Sequence, residues 1–108
     1  MILLIRPKWL RRNFNGMAIW PFVILRHKHL VRDINFLNHE RIHLRQQVEL
    51  LVVFFYLWYT LEFLVRWIGL RDRHLAYQNI SFEREAYAHE TDIGYLKRRR
   101  FWVFLKFL

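Results

Sequence analysis

The chain has 108 residues, of which 55% are hydrophobic and 19% aromatic, enough for one domain with a real core but not for an elaborate substrate domain. Eighteen Lys and Arg against nine Asp and Glu give a formal charge of +9, which favours a polyanionic neighbour such as an anionic membrane surface. There is no cysteine, so disulfide staples and thiolate metal sites are excluded, and any metal must be held by histidine and carboxylate.

In chain order, residues 2–5 read as a short strand. Their apolar run precedes Arg6, the reverse of the order in a secretory signal, so no cleavable signal is expected and the location is read as cytoplasmic or membrane-associated. Residues 6–17 are basic and turn-like, punctuated by Pro7 and Asn15-Gly16. Residues 18–25 read as a second strand, with Pro21 favouring an edge or bulge. Residues 1–32 are thus short strands and loops.

Asp33 is an expected N-cap, and the helix after it carries His39-Glu40-Arg41-Ile42-His43. This HExxH spacing has a chemical meaning. Two histidines four apart project from one helix face and can share a zinc ion, while the intervening glutamate can act as general base toward water on the metal. Phe36, His39, His43, Gln46, Leu50 and Phe54 fall within roughly one quarter of the helical wheel, so both histidines lie on the core-facing stripe.

Residues 33–69 are read as this helix followed by a long apolar one. No charge occurs from Leu50 to Leu61; Glu62 and Arg66 are spaced to pair, and Gly69 is a natural stop. The apolar run is nearly long enough to span a bilayer and equally suits a buried or interface-lying helix. An unbroken helix from Ile34 to Ile68 would be about 50 Å long, so a break after the HExxH turn, or projection into a membrane, is expected.

Residues 70–79 read as a polar connection, residues 80–97 as a glutamate-bearing helix, and residues 98–108 as a basic and aromatic tail. With Phe82 as reference on the wheel, Ala86, His89, Ile93 and Leu96 lie within about 40° and Glu85 about 60° to one side. Glu85 is therefore the acid best placed to face inward as a third ligand, with Glu83 as the fallback. Gln46 lies on the inward stripe, and His89 and Tyr87 flank the glutamates; these three are the candidates for supporting the ligands. The tail has three readings: a solvated end, a lipid-surface segment, or an inhibitory segment folded over the cleft.

An HExxH helix followed about forty residues later by Arg84-Glu85-Ala86-Tyr87-Ala88 resembles the gluzincin zinc peptidases. In their HtpX and CAAX-processing branch the glutamate is followed three residues later by a small residue and then by an aspartate; Glu85, Ala88 and His89 occupy those positions. The run 22–25 resembles the strand ahead of HExxH in that branch, and the length is similar to that of the minigluzincins. The resemblance implies a single small α+β zincin-like domain over 1–108, mostly helical, with His39, His43 and Glu85 binding Zn2+, Glu40 activating water, and a peptide or protein substrate. His89 departs from the family, which has an acid there. The alternatives are a zincin-like zinc-binding protein with little or no turnover, associated with a membrane, and a basic membrane-associated helical protein without metal. Nucleic acid is disfavoured because no recognised nucleic-acid motif accompanies the charge.

Overall fold

A computed structural model describes residues 1–10 and 14–108. Residues 11–13, within the basic turn-like stretch, lie outside the described residues. Three strands, β1 (Ile2–Ile5), β2 (Gly16–Ile19) and β3 (Phe22–Leu25), form a sheet in the order β1-β3-β2. β1 runs parallel to β3 with Leu3 opposite Val23, and β2 runs antiparallel to β3 with Ala18 opposite Val23. The single strand expected over 18–25 is thus the end of β2 and all of β3. The chain reverses at Trp20-Pro21, where proline has no N–H to give to a continuous ladder. Gly16 opens β2 because the Phe36 ring lies against it: a Cβ there would sit 2.3 Å from Phe36 Cζ.

The helices are α1 (Ile34–Glu49), α2 (Val53–Leu70), α3 (Arg73–Gln78), α4 (Ser81–His89) and α5 (Tyr95–Arg98). Together with the sheet they make a small, compact α+β fold. Asp33 caps α1 by accepting from the Phe36 N–H at 3.0 Å, as its position predicts. Gln47 on α1 caps the outer edge of β2: its amide donates to Ala18 O at 2.7 Å and accepts from Trp20 N–H at 2.7 Å. The sheet is thereby fixed to the helix that carries HExxH.

The expected break after that helix falls at Leu51 and Val52, both at positive φ, 55° and 61°. Such a conformation is costly for a β-branched residue. It also resets the phase of the apolar pattern. Phe54, placed on the inward stripe by a continuous helix, is exposed, and Phe55 is buried in its stead. α2 continues past Gly69 to Leu70 and stops at left-handed Arg71, so glycine is not the stop residue. Among the described residues α2 is the one helix long and apolar enough to cross a membrane.

Three further expectations change. The 70–79 connection contains α3, capped by Asp72 Oδ1, which accepts from the N–H groups of His74 and Leu75. The glutamate helix ends at His89, and residues 95–98 form the separate α5. Glu62 turns to α4 rather than to Arg66: its carboxylate accepts from the Ser81 N–H at 2.9 Å and from the Ser81 hydroxyl. Because Ile80 offers no side-chain cap, this brace from α2 is what holds the N-terminus of α4 in place.

The tail folds back against α4 as a 3-10 turn over Val103–Phe107. Phe104 is fully buried between Phe82, at 4.6 Å between ring centroids, and Trp58, at 5.3 Å. The tail is therefore anchored to the core through Phe104 rather than free in solvent. Phe104→Ala is expected to lower unfolding free energy by about 3 kcal/mol, read from urea denaturation; a loosely attached tail would leave the midpoint unchanged.

Candidate metal centre

α1 and α4 cross so that three ligand atoms converge between them. His39 Nε2 and His43 Nε2 are 3.2 Å apart, and Glu83 Oε1 lies 3.4 Å from the first and 3.0 Å from the second. Bonds of about 2.0–2.1 Å in tetrahedral geometry place ligands about 3.3 Å from one another, so these separations match the edges of a tetrahedral site. All three residues are buried, and the group can hold a metal ion.

Each histidine is aimed by its other nitrogen. The Nδ1–H of His39 donates to Glu90 Oε2 at 2.9 Å, and that of His43 donates to Gln46 Oε1 at 2.9 Å. This tautomer leaves both Nε2 lone pairs free for a cation, as the outer partners of metal-binding histidines generally do. Glu83 is aimed in the same way: the Tyr59 hydroxyl of α2 donates to its Oε2 at 2.7 Å, leaving Oε1 for the histidines. The Tyr87 ring packs edge-on to His39 at 4.6 Å, and the Phe55 ring lies 6.5 Å from that of His43.

The third carboxylate is thus Glu83, not Glu85. Glu85 is buried on the other shoulder of α4, where it accepts from the Arg99 guanidinium, from the Tyr95 hydroxyl at 2.6 Å and from Gln46 Nε2 at 2.9 Å. Arg99 comes from the folded-back tail and also pairs with Glu49 at 2.6 Å. Glu85 reaches the histidines only through Gln46, which links it to His43. The tail thus meets α4 on two sides: Arg99 clasps the shoulder that carries Glu85, and the Phe107 carbonyl accepts from Arg84 at 2.6 Å.

His89, a candidate for supporting a ligand, points away from the three converging atoms. Its ring stacks on Tyr95 at 3.8 Å between centroids, and its carbonyl accepts from Asn38 Nδ2. The acid that supports a ligand is the next residue, Glu90. Sequence reasoning missed Glu90 and Tyr59. A signal existed for the first: Glu83, Tyr87 and Glu90 stand at i, i+4 and i+7, a polar stripe of their own, and all three touch the histidines.

The electrostatics follow from burial among charges. Burial alone would push the His43 imidazole down, but the adjacent Glu83 carboxylate raises it to about 9 in the metal-free protein. Burial likewise penalises the Glu83 carboxylate, yet His43 and His39 hold it well below the usual carboxylate range. Glu40 goes the other way: burial pushes its carboxyl up against the opposing pull of His43 and His39. Glu40 is buried and accepts no hydrogen bond from any described residue.

No protein-family model, no curated protein and no solved structure matches this chain.

Two outcomes follow from the geometry. Glu83→Gln is expected to weaken metal binding at least about 100-fold with little change in fold, whereas Glu85→Gln leaves Arg99 without its main buried partner and costs about 3–5 kcal/mol of stability. Competition titration with a chromophoric chelator, alongside denaturant unfolding, separates them; equal effects on metal affinity would contradict the assignment. Second, His43 must lose a proton to bind metal. Its raised value means the metal-free protein gains stability from this group below about pH 6.5 and loses it as pH rises through about 9. Metal affinity therefore rises roughly tenfold per pH unit up to about 9 and then levels off. Calorimetry in buffers of different ionisation enthalpy is expected to show release of about one proton at pH 7.

Proposed function

We propose that this chain is a zinc-dependent metallopeptidase of gluzincin type, with His39, His43 and Glu83 as ligands and Glu40 as general base. The observation that carries the reading is the convergence of the two histidines and Glu83 at tetrahedral separations, each turned toward the shared point by a separate hydrogen bond. Two nitrogens and one oxygen with no sulfur suit zinc with an open fourth position. Zinc bound there supplies Lewis acidity, which makes water a nucleophile near neutral pH and polarises a peptide carbonyl.

The chain's own residues do the rest. Glu40 follows a ligand on α1 and shares the buried field of both histidines. Its carboxylate takes a proton from the attacking water and passes it to the leaving amine. Tyr59 and Glu90 keep Glu83 and His39 oriented while the substrate exchanges.

One observation favours a second reading, a zincin-like zinc-binding protein with little turnover. His39, His43, Glu83 and Glu40 are all less than a tenth exposed. A surface depression of about 430 Å³ is lined by Gln78, Arg84, Tyr87, Ala88 and Phe107, and neither histidine lines it. Tyr87 stands between, with one edge on this depression and its ring against His39. A peptide would have to displace Tyr87 to reach the ligands by this route.

Glu40→Gln distinguishes the readings. For a peptidase, the variant retains stoichiometric zinc and loses cleavage of an unstructured protein substrate by about 10²–10⁴-fold. Wild-type protein with full zinc and no cleavage, even of itself, would favour the binding protein.

A further inference from the structure

α2 is two-faced in an unusual sense. Its inner side meets the metal centre and α4 through Phe55, Tyr59 and Glu62. Its outer side carries Phe54, Leu57, Leu61, Leu64, Val65 and Ile68, which fall within about 100° on the helical wheel and include no charge. Leu57, Leu61 and Ile68 are 62%, 63% and 79% exposed, so this stripe faces outward. A helix facing water has its polar side outward; here the order is reversed.

The stripe continues into the tail. Trp58 borders it and packs on Phe104, while Trp102 packs on Phe104 and donates to Glu49 O at 3.4 Å. In the same tail Phe101, Trp102 and Leu105 are exposed, and the Phe101 ring stacks on Trp102. Interleaved with them are exposed Lys97, Arg100 and Lys106, and no acidic residue occurs from Ile93 to Leu108. Arg71 and Arg73 add exposed positive charge at the far end of α2. Aliphatic side chains flanked by tryptophan and then by cations follow the depth profile of a bilayer surface.

We propose that α2 and the tail form a docking face for an anionic lipid bilayer, with α2 lying in the interface rather than crossing it. Crossing would carry Glu62, Arg66 and the polar centre behind Tyr59 toward hydrocarbon, whereas lying flat immerses only the apolar stripe. A second copy of the chain fits less well. Pairing α2 against α2 would bring together two molecules that each carry a formal charge of +9, with their basic tails at the same face.

This proposal is independent of catalysis, and its test reads binding alone. The 108-residue protein is mixed with phosphatidylcholine vesicles with and without phosphatidylserine and sedimented. Binding is expected to require phosphatidylserine and to fall with added salt. Leu57→Glu with Leu61→Glu abolishes it while leaving the circular dichroism spectrum intact. Arg100→Gln and Lys106→Gln each weaken it about fivefold without touching the apolar stripe. Failure of the wild type to bind either vesicle, or equal binding to both, overturns the proposal. So does a dimer in sedimentation velocity that the leucine variants disperse, since the stripe would then belong to a second copy.

Discussion

Two imidazole nitrogens and a carboxylate oxygen held within 3.4 Å of one another in a buried space set the terms for the rest of this molecule. Lone pairs so close repel unless a cation or a proton lies between them. Glu40 and Glu90 add to the same field. The upward shifts at His43 and Glu40 differ in cause: Glu83 draws a proton onto His43 against the penalty of burial, whereas burial itself keeps a proton on Glu40 against the pull of the two histidines. A divalent cation suits the cluster better than a proton, because it satisfies three ligand atoms at once.

Holding such a cluster together takes structure on every side. α1 supplies the histidines and is tied to the sheet through Gln47. α2 supplies Tyr59 to orient Glu83 and Glu62 to hold the start of α4. The tail supplies Arg99, which balances Glu85 and Glu49 so that the second shoulder of α4 can be buried too. Gln46 joins the two shoulders, bonding His43 on one side and Glu85 on the other. The three helices and the tail thus form one polar framework, and the apolar packing of Phe55, Phe82 and Phe104 surrounds it.

Much of this was legible in the residues. The HExxH spacing placed His39 and His43 together and inward, the Asp33 cap marked the start of α1, and the length of an unbroken helix from Ile34 to Ile68 pointed to a break or to projection into a membrane. The choice between Glu83 and Glu85 was not legible, for a physical reason. A helix wheel centred on Phe82 assumes one buried face, and α4 has two buried shoulders because the tail returns to cover one of them. Nothing local in residues 98–108 announces that return, since a run of Lys and Arg followed by aromatics suits a free end equally well. The phase of α2 was hidden likewise, because two residues at positive φ without glycine leave no mark in composition.

Those two residues, Leu51 and Val52, fix more than a bend. They set the angle at which α2 begins, and each residue of an α-helix turns the next by about 100°. Adding or removing a single residue there would rotate the whole of α2 by that amount. Tyr59 would leave Glu83, Glu62 would leave Ser81, and part of the aliphatic stripe would turn against α4. The short link between α1 and α2 therefore acts as a phase lock, its length as constrained as the spacing of the two histidines.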